Sequence, residues 1–148
     1  MIIRSLTFRD LDLYHNSIPM IKEGDSRVSF NNDSTLSHTR ITPYSIDMRE
    51  HEKTSLWKKI LSEDNTQINI IEENGQFVAG AITVTHSPDC NMLRNDMTNA
   101  VLWDIRVHPS FQQKGYASLL LNKSIKFSKS KNCAQLLIET QDNNPKAI

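Results

Sequence analysis

The stretch from Ala100 to Thr140 constrains the fold more than any other part of the chain. Ala100 to Val107 is apolar and alternates only in part, as a central strand does. Pro109 has no amide hydrogen and ends the ladder there. A polar loop, Gln112 to Gly115, leads into a helix predicted from Gly115 to about Ser130. Ala117, Leu120, Leu121, Ser124, Ile125 and Ser128 recur at the i, i+3, i+4, i+7 spacing that lines one helix face. Lys123, Lys126 and Lys129 fall elsewhere, where the C-terminal end of the helix dipole favours them. Ala134 to Thr140 reads as a further buried strand.

The remainder supplies more strands and short helices. Ile2 to Leu6 is an apolar run that predicts a strand. Thr7 and Asp10 form a capping-box-like start for a helix from about Arg9 to Asn16, burying Leu11 and Tyr14. Asp25 to Ile41 predicts two irregular strands, ended by Pro43. Met48 to Leu61 looks helical, with Leu56, Trp57, Ile60 and Leu61 on one face. Thr66 to Ile71 and Gln76 to Thr85 are β-rich and flank Glu73-Asn74-Gly75, and Asn-Gly is a strong hairpin signal. Ser87 to Asn99 is polar, contains Pro88, and reads as a loop. The order predicts one mixed α/β domain over residues 1–148, with no repeat or linker.

Bulk properties exclude several classes. The chain has 148 residues, enough for one hydrophobic core. Seventeen Lys and Arg balance 17 Asp and Glu, so no basic excess points to nucleic acid or a membrane surface. No apolar run approaches the roughly 20 residues that span a bilayer. Met1-Ile2-Ile3-Arg4-Ser5-Leu6 lacks the apolar core of a signal peptide. Cys90 and Cys133 fit no metal or redox spacing, so free thiols in a reducing cytoplasm are expected, and no metal.

The loop before the helix carries the chemistry. A helix N-terminus offers unpaired amides and a partial positive charge, which together bind phosphate. Gly115 lets backbone approach a ligand closely, and Ala117 is small. An ordinary strand-to-helix turn accounts for the same residues, and one glycine does not decide between the two. The loop lacks the Gly-Lys-Ser/Thr ending of a nucleotide P-loop.

Gln112-x-x-Gly115-x-Ala117, preceded by Val107-x-Pro109, resembles the Gln/Arg-x-x-Gly-x-Gly/Ala motif of the GNAT superfamily of N-acetyltransferases. Ile138-Glu139-Thr140-Gln141-Asp142-Asn143-Asn144 resembles a run in its streptothricin acetyltransferase branch. Asp25-Ser26-Arg27-Val28 is more weakly similar to the substrate side of that branch. The likeness covers the chain from about Gly75 to Asn144. It implies the GNAT acyl-CoA N-acyltransferase fold, a central, mixed, mostly antiparallel sheet flanked by helices. It implies acetyl-CoA as co-substrate and a small amine as acceptor, with no nucleic acid or membrane partner.

The resemblance also assigns positions. Ile105, Arg106 and Val107 would run beside the pantetheine arm, with backbone groups of Ile105 and Val107 pairing to it. Gln112, Gln113, Lys114, Gly115, Tyr116, Ala117 and Ser118 would hold the pyrophosphate, and Asn144 the amide groups of the arm. The strands ending at Val107 and Thr140 would splay to admit the thioester. The amine attacks directly, and Asp104 is the candidate general base; the competing roles for it are structural or the attraction of a cationic substrate. Glu139 is read as structural, and His86 and His108 as solvated.

Relatives continue past the Asn144 segment into a Phe-Tyr pair and two strands, and their tyrosine protonates the departing thiolate. Tyr14, Tyr44 and Tyr116 do not lie at that place, so the fold is expected to lack the last helix and strands. The Ala134–Thr140 strand would then offer an open edge to a second copy, giving a homodimer, or to a separately made C-terminal fragment, the alternative being a monomer whose tail folds over the edge. The leading expectation is acetylation of a primary amine on a small cationic molecule, of the streptothricin type, giving antibiotic resistance. The alternatives are a catalytically impaired acyl-CoA-binding remnant, or a peptide or protein N-acetyltransferase.

Overall fold

Asn74 and Gly75 adopt positive φ, 51° and 77°, the conformation a tight two-residue hairpin requires. They join β4 (Thr66–Glu73) to β5 (Gln76–Thr85) in antiparallel register. The computed structural model describes residues 1–93 and 96–147. Arg94 and Asn95, within the predicted loop, and Ile148 lie outside the described residues.

The main sheet has five strands. β1 (Ile2–Leu6) pairs antiparallel with β4, β5 with β6 (Asn99–Val107), and β6 parallel with β7 (Gln135–Ile138). The sheet is thus mixed and mostly antiparallel, as expected. Val78 to Thr85 is buried at every position, because β5 is central and covered on both faces. One face carries α1 (Leu11–Ser17) and α2 (Thr54–Trp57), with Leu11, Tyr14, Ile18, Trp57, Ile70, Ile82 and Val101 in its core. The other carries α3 (Tyr116–Ser130), which seats Tyr116 and Leu120 against Val78, Ala79, Ala81 and Leu102. Full burial of a leucine such as Leu120 contributes about 1.5–3 kcal/mol. Ser124 and Ser128 are also buried, and their hydroxyls donate to the carbonyls of Leu120 and Ser124 one turn back.

Several local expectations are corrected. The predicted helix from Met48 to Leu61 is a 3-10 turn, Met48–Glu50, followed by the single turn of α2; Leu56 is exposed, while Trp57 and Leu61 are buried. Asp47 caps the turn by accepting from the Arg49 amide, and Lys53, extended at φ −91° and ψ 130°, separates that turn from α2. Pro43 does not end a strand. β2 (Ile21–Phe30) pairs with β3 (Leu36–Asp47), and Pro43 sits inside β3 where the register shifts between Gly24 and Ser26. Such a bulge leaves ladder positions unpaired, so the missing amide costs nothing there. β7 is shorter than expected, and Gln135 and Ile138 are exposed. Among the described residues it pairs only with β6 and so lies at an open edge, as expected, but it is not buried as its composition suggests. No helix among the described residues is long and apolar enough to cross a membrane.

Candidate active site

β6 is longer than its parallel partner. β7 pairs with it only from Asn99 to Leu102, and β6 then runs on to Val107. On its other side β6 remains paired with β5 to the end, and the His108 amide donates to the Val78 carbonyl at 2.8 Å. Antiparallel pairs alternate, so Asp104 and Arg106 turn their backbone groups to β5, whereas Ile105 and Val107 turn theirs away. Those groups face the gap that opens where β7 stops. Arg106 is not brought to that free edge by either its backbone or its side chain.

The edge leads directly to the start of α3. His108 Nδ1 accepts from the Ser110 amide at 3.2 Å, and a 3-10 turn, Pro109–Phe111, follows. Gln113 and Gly115 both have positive φ, 62° and 80°. The Leu119 amide bonds the Gly115 carbonyl at 3.1 Å and closes the first helical turn, so the Tyr116, Ala117 and Ser118 amides precede the helical ladder. No side chain caps the helix. A Cβ added to Gly115 would meet no atom within 4 Å, so open space borders this backbone. Gln112 to Gly115, Ala117 and Ser118 are exposed, and Tyr116 is buried as the anchor of the helix. Lys114 Nζ lies 4.7 Å from the Phe111 ring centre, which keeps a cation beside the exposed amides. Residues 112–118 thus form one exposed, electropositive stretch suited to a phosphate group.

Asp104 lies on the face of the sheet that carries α1. Its Oδ2 accepts from the Tyr14 hydroxyl at 2.7 Å and from Arg106 Nε at 2.8 Å. Arg106 Nη1 donates to the Ile18 carbonyl at 3.1 Å, and the guanidinium stacks over Tyr14 and Trp57. Arg106 Nη2 lies 2.7 Å from the same carboxylate oxygen yet is without a well-angled hydrogen bond, so Nε carries the directional contact. All three polar side chains are buried. Among the described residues, Asp104 Oδ1 accepts no hydrogen bond. Burial, and then the charge of Asp104, hold the Tyr14 hydroxyl well above its ordinary pKa, so it remains a donor. Burial alone would lower the Arg106 pKa, but the Asp104 charge and the Tyr14 contact outweigh it and raise it.

Asn144 lies in the turn after β7, half-buried, its amide donating to the Gln141 carbonyl at 3.0 Å. The β2–β3 hairpin holds this segment. The Val28 amide donates to the Asp142 carbonyl at 2.7 Å, and the Tyr44 hydroxyl donates to the Asn143 carbonyl at 2.6 Å. Arg27 pairs with Asp142, and Lys146 with Glu23. The sequence singled out Asp104 and residues 112–118 as candidates, and it did not reveal the contacts of Tyr14 and Tyr44 or the inward turn of Arg106. The signal for Arg106 was present, because opposite charges two apart on a strand share one face.

Residues 33–148, which hold β6 and the glycine-started helix α3, match the acetyltransferase (GNAT) family. The chain belongs to that family. No curated protein matches the chain. Among solved structures, a Bacillus anthracis protein assigned as a streptothricin acetyltransferase, in complex with acetyl coenzyme A, is similar at a TM-score of 0.73 and 19% identity, covering 99% of this chain and 78% of that one. A nourseothricin acetyltransferase is similar at a TM-score of 0.69 and 14% identity, over 99% and 77% of the two chains. The aminoglycoside N-acetyltransferase AAC(6')-Iy, in complex with CoA, is similar at a TM-score of 0.61 and 17% identity, over 99% and 84%. At these identities the likenesses establish the GNAT fold.

Proposed function

We propose that this GNAT-family chain transfers an acetyl group from acetyl-CoA to a primary amine of a small cationic molecule, of the streptothricin type. The observation that carries the reading is the free β6 edge at Ile105 and Val107 running into the open amides of residues 112–118. An extended pantetheine arm can add to such an edge as a strand would, and a pyrophosphate suits the helix start. Ile105 and Val107 would bind the arm, Gln112 to Ser118 the pyrophosphate, and Asn144 the amides of the arm. Supporting this assignment of acetyl-CoA, two structural neighbours are complexes with acetyl coenzyme A or CoA.

The transfer needs no covalent intermediate on the protein. The amine gives up a proton, and its lone pair attacks the thioester carbonyl. The new C–N bond forms as the C–S bond breaks, and the thiolate leaves and takes up a proton. Free thiols have a pKa of about 8.5, so a thiolate leaves readily near neutrality. Holding amine and carbonyl together supplies much of the acceleration. Asp104 is the proposed proton acceptor through Oδ1, with Oδ2 fixed by Tyr14 and Arg106.

The test is a thiol-release screen with acetyl-CoA and a panel of amines: streptothricin, aminoglycosides, short diamines and an N-terminal peptide. Release dependent on streptothricin or a diamine is expected. Binding of acetyl-CoA with no release above hydrolysis for any amine refutes the transfer reading, and release with the peptide alone moves the substrate class to proteins.

A further inference from the structure

A hollow of about 330 Å³ lies beside the C-terminal end of β7, lined by Asn91, Met92, Leu137, Ile138 and Glu139. Its volume is at the lower end of the range for small-molecule sites. Its position in the sheet gives it meaning. Ile138 is the last residue of β7 paired with β6, opposite Leu102. Glu139 is therefore the first residue past the pairing, at the apex of the gap where Ile105 and Val107 expose their backbone groups.

The two sides of this apex differ. Leu136 packs with the α3 core, on the face where residues 112–118 start the helix. Leu137 and Met92 pack with the α1–α2 core, on the face to which Asp104 and Tyr14 belong. The hollow thus opens on the sheet face opposite α3. A ligand seated there reaches the gap from the side away from the phosphate-suited loop. Direct transfer between two substrates requires both to reach one point together, which two separate entries allow.

The lining also has a definite chemistry. Met92, Leu137 and Ile138 supply apolar surface, and Asn91 a polar amide. Glu139 supplies the carboxylate; it is exposed, and among the described residues it makes no hydrogen bond or ion pair. A carboxylate without a partner among the described residues, at the mouth of a part-apolar hollow, suits an ammonium group on a short aliphatic stem.

We propose that this hollow is the acceptor subsite, and that Glu139 is the anionic contact that recognises a primary ammonium on an aliphatic chain. The assignment deepens the acetyl-transfer reading and rests on it for the identity of the reaction. Glu139 determines which amine is bound, whereas Asp104 is the proposed proton acceptor.

The probe is cadaverine, a short aliphatic diamine, used with the full chain and acetyl-CoA. Calorimetry measures cadaverine and CoA binding in wild type and Glu139→Gln, and thiol release gives kcat and KM. Glu139→Gln removes charge from an exposed side chain without disturbing packing, and a thermal melt checks that the fold is kept. Expected is a weakening of cadaverine binding and a rise in KM of about tenfold, equivalent to about 1.4 kcal/mol, with kcat and CoA affinity little changed. Filling the hollow with Met92→Trp is expected to give the same pattern. Cadaverine binding that is absent from wild type, or unchanged in Glu139→Gln, overturns the assignment. Glu139-dependent binding without thiol release leaves the subsite standing and removes the transfer reading. Thiol release with an unchanged KM in Glu139→Gln does the reverse.

Discussion

Asp104→Asn tests whether the buried pair with Arg106 is structural, catalytic or both. The substitution keeps shape but leaves the Arg106 guanidinium, itself 6% exposed, without the counter-charge in contact with it. Breaking one side of a buried ion pair costs about 3–5 kcal/mol, because the remaining charge stays desolvated. In a domain of this size each kcal/mol lowers Tm by roughly 2–4 °C, so a fall of about 6–20 °C is expected. With a urea m-value of about 2 kcal/mol/M, the midpoint should drop by roughly 2 M. Removing the whole polar set separates stability from chemistry. Asp104→Leu with Arg106→Met alone would strand the Tyr14 hydroxyl, so the informative variant adds Tyr14→Phe. This triple variant should recover at least half of the lost stability, though the Ile18 carbonyl loses its donor. It should not recover turnover if Asp104 takes the proton. Urea melts and thiol-release kinetics on the three forms decide. A loss below about 1 kcal/mol in Asp104→Asn would show that Arg106 does not depend on Asp104. Full turnover in the triple variant would remove Asp104 as the base.

Three other outcomes are expected. Gly115→Val should weaken CoA binding at least tenfold by calorimetry; φ of 80° strains a β-branched residue, while Gly115→Asn tolerates that φ and isolates the steric effect, so unchanged affinity in both variants refutes this placement. Gly80→Ala places a Cβ that overlaps Tyr14 Cε2 and lies 3.1 Å from Ile18 Cδ1; overpacking costs about 1–3 kcal/mol, and an unchanged thermal melt would show that α1 can yield. The Arg49 side-chain hydrogen bonds hold the Asp47 pKa below its ordinary value, so its contribution is present above the unfolded carboxylate pKa of about 3.9 and fades as pH falls through the lower folded value; the stability gap between wild type and Asp47→Asn should therefore close below about pH 4, and a gap independent of pH would refute this.

What was legible in the sequence was mostly local. Asn74-Gly75 forces a hairpin through its own φ values, so β4 and β5 could be read directly. The 112–117 loop was legible because a strand end, a glycine and a helix face occur within twenty residues of one another. Where the reading failed, a neighbour overrode the local rule. Pro43 looked like a strand terminator, but three residues of β3, Ile41 to Pro43, stand opposite the single Asp25 of β2 and absorb it. Leu56, Trp57, Ile60 and Leu61 have helical spacing, yet the extended backbone of Lys53 separates them from the Met48–Glu50 turn. β7 has the composition of a buried strand, and burial depends on neighbours that composition does not specify.

The orientation of Asp104 is the clearest case of long-range control. Thr83 pairs with Leu102 and Ile82 with Asp104, so Trp103 is an extra residue on β6. Without that bulge, Asp104 would share the face of Leu102 and point at α3. The bulge re-aims it to the opposite face, where Tyr14 waits 90 residues away in sequence. Tyr14 comes close enough because Gly80, opposite Arg106 on β5, has no side chain to hold α1 off the sheet. The same register turns the backbone groups of Asp104 and Arg106 to β5 and leaves those of Ile105 and Val107 facing the gap. The bulge thus lets Leu102 and Asp104 face opposite sides of the sheet, while one uninterrupted register from Asp104 to Val107 carries both the inward carboxylate and the open strand edge. Deleting Trp103 would make Leu102 and Asp104 strand neighbours on opposite faces, still opposite Thr83 and Ile82, so the Asp104–Tyr14 contact and acetyl-CoA binding should both survive it; loss of both in a variant that still folds would refute this reading of the register.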